Sequence, residues 1–79
     1  MDGTGTARRV TARQAEVLAA IRRLTRDQGL PPTRRELADF FGVAIHAITG
    51  HLAALERKGR IELRAGVARG IFVRRRARA

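Results

Sequence analysis

The sequence predicts a mainly α domain with a small β-hairpin, three helices followed by a wing, and three observations predict it. Two start signals, Thr11 with Gln14 and Thr33 with Glu36, each precede an apolar pattern of helical period. The second and third patterns are joined as Leu37-Ala38-x-x-x-Gly42-Val43-x-x-x-x-Ile48-x-x-x-Leu52, the spacing of two helices packed across a tight turn. Beyond Gly59 the period changes from helical to alternating, around a loop that contains glycine.

The first helix follows from Thr11 as N-cap, with Gln14 completing a capping box. Gln14, Val17, Leu18, Ile21 and Leu24 then fall on one face, with Arg22, Arg23 and Arg26 on or near the other. Gly29 suits the left-handed residue after a helix, and Pro31-Pro32 forbid continuation, so the helix is placed at about Ala12 to Gln28. Thr33 and Glu36 repeat the start signal for a short second helix, whose apolar face is Leu37, Phe40 and Phe41 and which Gly42 ends. The third helix begins near Ala44 or Ile45 and carries Ile48, Leu52 and Leu55 at i, i+4 and i+7. Arg57 and Lys58 suit its negative C-terminal end, and Gly59 closes it.

In the last segment Ile61 and Leu63 alternate with polar residues, residues 64–70 turn, and Ile71-Phe72-Val73 extends again. The whole reads as a winged helix-turn-helix spanning residues 11–73, with a disordered arm at 1–10 and a basic tail at 74–79. Val10 is a candidate for a short strand or a hydrophobic staple. The expected core is Val17, Leu18, Ile21, Leu24, Leu37, Phe41, Ile48, Leu52, Leu55, Ile61, Leu63, Ile71 and Val73. Phe72 then points away from it, onto an exposed face.

Composition narrows the function. The chain has 79 residues and a formal charge of +10, and of its 17 basic residues only Lys58 is lysine. A GC-rich genome also raises arginine, but it does not account for the scarcity of acids. The excess favours a polyanionic partner, and the planar arginine fork suits phosphate and guanine. Cysteine is absent, which excludes disulfides and thiolate metal sites. No apolar run is long enough to span a bilayer, and the first ten residues lack the apolar core of a secretory signal, so the cytoplasm is the expected compartment.

Thr11-Ala12-Arg13-Gln14-x-x-Val17-Leu18-x-x-Ile21 and Gly29-Leu30-Pro31-Pro32-Thr33-Arg34-x-Glu36-Leu37-Ala38 resemble the N-terminal domain of LexA-type repressors. So do Gly50-His51-Leu52-x-x-Leu55-Glu56-Arg57-Lys58-Gly59-x-Ile61 and Arg69-Gly70-Ile71. The resemblance runs from about Val10 to Val73 and implies double-stranded DNA as partner, with transcriptional repression, in the manner of the SOS response, as role. LexA repressors usually carry one more residue between the turn glycine and the His-Leu of the recognition helix than Gly42 to His51 provides here. They also continue into a self-cleaving domain with a serine nucleophile, whereas this sequence contains no serine, so autoproteolysis is not expected. Ala65-Gly66 resembles the Ala-Gly bond those repressors cut, but it falls inside the expected wing and is read as a turn.

Positions facing outward from the first turns of the third helix are the base-reading candidates: Ile45, His46, Thr49, Gly50 and Ala53. Thr49 can bond a base edge or touch a thymine methyl, and His46 can donate to guanine. Ile45 and Ala53 offer apolar contact, and Gly50 permits close approach. The phosphate candidates are Thr33, Arg34 and Arg35 at a helix N-terminus, Arg57, Lys58 and Arg60 after the third helix, and Arg64 and Arg69 flanking the wing tip. Arg74, Arg75, Arg76 and Arg78 would add sequence-blind, salt-sensitive affinity.

His46 and His51 are five apart and do not share a helix face, so no metal site is expected, nor any cofactor. Glu16, Glu36, Asp39, Glu56 and Glu62 read as surface ion-pair partners rather than a catalytic pair, so no enzyme is indicated. A homodimer, if formed, is expected to be weak, DNA-dependent or built through the wing. The rival expectations are a protein-interaction module that pairs with or antagonises a larger LexA-like repressor through the hairpin and Phe72, and the excised DNA-binding half of such a repressor.

Overall fold

The computed structural model describes residues 9–74. Residues 1–8 of the expected arm and Arg75, Arg76 and Arg78 of the tail lie outside the described residues. Three helices, α1 (Ala12–Gln28), α2 (Arg34–Phe41) and α3 (Ile45–Arg57), precede the strands β1 (Ile61–Leu63) and β2 (Ile71–Val73). Among the described residues no single helix is long and apolar enough to cross a membrane.

Local chemistry sets the helix ends. Thr11 Oγ1 accepts from the Gln14 N–H while Gln14 Oε1 accepts from the Thr11 N–H, and Thr33 and Glu36 form the same reciprocal pair. Such caps satisfy donors the helix leaves unpaired, and each is worth about 1 kcal/mol. α3 has no equivalent, because its N-cap is Ala44, whose side chain makes no capping bond. At the other end of α2, Gly42 adopts φ 68°. The Gly42 N–H donates to Asp39 O and the Val43 N–H to Ala38 O, the paired bonds of a Schellman ending. This sharp stop lets α3 leave at 110° to α2, within the helix-turn-helix range. Ala38, only 2% exposed, lies in the core beside this turn.

Val17, Ile21, Leu37, Ile48, Leu52, Leu55, Ile61 and Ile71 are almost wholly buried and draw on every element. Leu24, Phe41, Leu63 and Val73, expected in the core, are half-buried around it, and Val10 packs there too without forming a strand. Small residues complete the packing, with Ala20, Ala38 and Ala54 buried. Phe40 departs from expectation: it is 49% exposed, because Leu37 and Ala38 already fill the inward arc of a helix of only eight residues. Its ring instead meets Phe41 edge-on, with centroids 5.1 Å apart.

The strands pair antiparallel, with Ile61 opposite Val73, Glu62 opposite Phe72 and Leu63 opposite Ile71. Gly66 turns the connecting loop at φ 77°, so Ala65-Gly66 sits in a turn. Gly70 has a different reason to be glycine: a Cβ there would lie 2.5 Å from Arg64 O. Phe72 is half-buried rather than open, because the Arg64 guanidinium stacks over its ring at 4.4 Å.

Candidate nucleic-acid interface

α3 buries Ile48, Leu52, Ala54 and Leu55 and turns its other face to solvent. Ile45, His46, Thr49 and Gly50 are exposed on that face, and Ala53 is half-buried at its margin. Exposed Arg57 continues the stripe at i+4 from Ala53. A Cβ on Gly50 would meet nothing within 4 Å, so internal packing does not require glycine there.

The cationic residues divide into two groups. Arg34 and Arg35 sit exposed in the first turn of α2 and, like Arg57, make no ion pair among the described residues. Their helix also offers the positive end of its dipole and unpaired N–H groups. Thr33 is spoken for as the cap. Arg60 is half-buried, and its carbonyl accepts from the Arg74 N–H. A polar cleft of about 280 Å³ between α2, α3 and the wing brings Arg34 and Arg64 onto one rim. Arg64 is already engaged, with Nε donating to Glu62 Oε2 at 3.0 Å and its plane on Phe72.

Lys58 and Arg69 are bound still more fully within the fold. Lys58 Nζ donates to Arg9 O and Gln14 Oε1, both at 2.7 Å, tying the end of α3 to the start of α1. Arg69 donates from both terminal nitrogens to Glu36, at 2.9 Å each, and also to Pro31 O at 2.8 Å. Such a planar fork fixes orientation as well as distance. It latches the wing to the beginning of the helix-turn-helix. The Arg69 hydrogen bonds, then the Thr33 N–H, hold the Glu36 carboxyl down to about 2 against some desolvation. Glu36 in turn raises the pKa of Arg69.

The sequence reads Glu36 as both a cap and a surface ion-pair partner but Arg69 as a phosphate contact, and no periodic signal connects residues 33 apart. The signal in the sequence was the stretch Arg69-Gly70-Ile71, one of those that carry the family resemblance. The other acids are less demanding: Glu16 pairs with Arg13, and Glu56 accepts from the Leu63 N–H at 3.4 Å. Asp39 has no ion pair among the described residues, while Asp27, not anticipated, lies 3.6 Å from Arg23. Among the described residues no three His, Cys, Asp or Glu side chains gather as metal ligands.

An outward helix set 110° from its partner across a tight turn, beside a latched hairpin and a basic surface, defines a winged helix-turn-helix of the DNA-binding class. Residues 7–70 match the LexA DNA-binding domain, and the chain belongs to that family. It is 50% identical over 66 residues to LexA repressor 1 of Pseudomonas putida, covering 82% of this chain and 33% of that protein. The LexA repressor of Colwellia psychrerythraea is 44% identical over 72 residues, 90% of this chain and 34% of that protein. That of Pseudomonas aeruginosa is 48% identical over 66 residues, 82% and 32%. The chain therefore spans about a third of the length of the curated relatives it matches. The family is a non-catalytic regulatory domain whose partner is double-stranded DNA.

Proposed function

We propose that the chain binds duplex DNA sequence-specifically and acts as a LexA-like transcriptional repressor by occupying promoters. The outward stripe of α3, set 110° from α2, carries this reading. In the major groove, Thr49 and His46 supply the polar base contacts, Ile45 and Ala53 the apolar ones, and Gly50 the close approach. Arg34, Arg35, Arg57, Arg60 and Arg64, with the N–H groups beside Thr33, take the phosphates. Lys58 and Arg69 act on DNA indirectly, by holding the elements that touch it. Two copies on adjacent half-sites form a DNA-dependent pair, and the nucleoid is the place of action.

Mobility-shift titration of a selected operator and a scrambled duplex at two salt concentrations tests this. Thr49→Ala is expected to narrow the difference between the duplexes. Arg34→Ala is expected to weaken both alike and reduce the salt slope by about one. Absence of duplex affinity at low salt refutes DNA binding. Equal effects of both substitutions on both duplexes refute the assignment of α3 as reader.

A further inference from the structure

One side of α1 is electrically neutral in a chain of formal charge +10. Arg13 Nη1 donates to Glu16 Oε1 at 2.8 Å, and Arg23 lies 3.6 Å from Asp27, so two cations meet two anions. Arg22 and Arg26 line a different slot, beside β2. Between α1 and α2, next to the neutral side chains, lies an open and mainly apolar slot of about 270 Å³. Glu16, Ala19, Ala20 and Arg23 line it from α1, and Phe40 and Phe41 from α2.

The two rings differ in what covers them. Phe41 is half-buried, with the Arg13 guanidinium 5.0 Å over its face. Phe40 is 49% exposed beside an apolar slot that nothing fills among the described residues. A large apolar ring next to an unfilled apolar hollow marks a contact surface rather than a chance exposure. None of these residues belongs to the proposed DNA contacts.

We propose that this α1–α2 face pairs two copies of the chain through reciprocal Phe40 packing and crossed Glu16–Arg23 ion pairs. Glu16 and Arg23 lie at i and i+7 on one face of α1, about 10 Å apart along its axis, with Ala19 and Ala20 between them. A twofold axis lying in the interface and parallel to α1 would set Glu16 on Glu16 and Arg23 on Arg23. An axis across α1, passing near Ala19 and Ala20, runs the two helices antiparallel and sets Glu16 against the second copy's Arg23 twice. That second rotation also keeps Phe40 on the same side of α1, so the two rings meet and close both slots. The patch is thus complementary to itself, as a twofold contact requires. Glu16 Oε2 and the terminal nitrogens of Arg23 have no hydrogen-bond partner among the described residues, so the crossed pairs need not break the internal ones. Local neutrality removes the repulsion that the rest of the surface imposes between copies. Duplex DNA finds no net positive charge here. A foreign partner would have to reproduce both the ring and the charge pattern that a second copy already carries. This contact lies away from the wing and is independent of the pairing that adjacent half-sites impose. Its small size places it among weak associations, populated at high concentration.

The test uses the isotopically labelled full chain, diluted from millimolar to micromolar concentration in about 0.15 M salt, where screening acts beyond roughly 8 Å. Amide NMR reports the face and sedimentation equilibrium the mass. The expected result is concentration-dependent shifts centred on Glu16, Ala19, Arg23 and Phe40, with the mass rising towards that of a dimer. Phe40→Ser is expected to weaken association by at least about tenfold, the scale of losing a central aromatic anchor. Because Phe40 also touches Phe41, two surface charge variants provide the independent test. Glu16→Arg makes the patch wholly basic and Arg23→Glu makes it wholly acidic, so each alone is expected to lose association by about tenfold. Mixing the two variants restores both crossed pairs and is expected to recover association, which a loss of folding could not do. A parent chain that stays monomeric at millimolar concentration overturns the inference. So do shifts centred on the wing or α3 instead, charge variants that associate like the parent, or a mixture of folded variants that does not associate.

Discussion

Gly50→Ala separates stability from recognition because its two expected effects have opposite signs. Gly50 lies inside α3, exposed to solvent, and a Cβ built on it meets nothing within 4 Å. The full helix-propensity difference therefore applies, and alanine should stabilise the fold by about 0.8–1 kcal/mol. In a domain of this size that raises the unfolding midpoint by about 4–8 °C. On the proposed interface the same methyl group would enter the closest approach of α3 to the groove. Overfilling a well-packed contact costs roughly 1–3 kcal/mol, or about fivefold to more than a hundredfold in affinity. Thermal unfolding by circular dichroism measures the first effect, and fluorescence anisotropy with a labelled operator duplex the second. A variant that melts higher and binds as tightly as the parent refutes the place of Gly50 on the reading edge. A variant that melts lower refutes the open space inferred around it.

The latch makes a prediction in pH. Glu36 is depressed from 4.5 to about 2 in the fold, so its stabilisation is complete above pH 4.5 and is lost as pH falls from there towards 2. Urea midpoints measured across that window should decline, and Glu36→Gln should flatten the decline; an unchanged profile in the variant removes Glu36 as the cause. Gly70→Ala forces a Cβ to 2.5 Å from Arg64 O and should destabilise by roughly 1–3 kcal/mol in urea unfolding. Ala44→Ser supplies α3 with the side-chain cap it lacks and should stabilise by about 1 kcal/mol, visible as a higher midpoint with unchanged denaturant slope.

Features governed by neighbouring residues were legible in the sequence. Both capping boxes, the left-handed glycines at 29 and 42, and the change of period after Gly59 depend on contacts within a few residues, so spacing suffices to read them. The exposure of Phe40 was not legible, because it depends on how much of a two-turn helix its neighbours already cover. Nor could composition rank the arginines. Arg34 and Arg69 are alike as letters, yet the first is exposed without an ion pair among the described residues and the second holds three hydrogen bonds to Glu36 and Pro31. The same carboxylate that caps α2 through Thr33 also holds the wing through Arg69. The start of the helix-turn-helix and the position of the wing are therefore mechanically one feature. A formal charge of +10 overstates what a duplex can engage, since part of it is employed in holding that geometry. On the proposed interface the two groups of cations act differently: the unpaired ones would supply sequence-blind affinity by touching phosphate, and the paired ones would bear on specificity by fixing the angle at which α3 meets the groove.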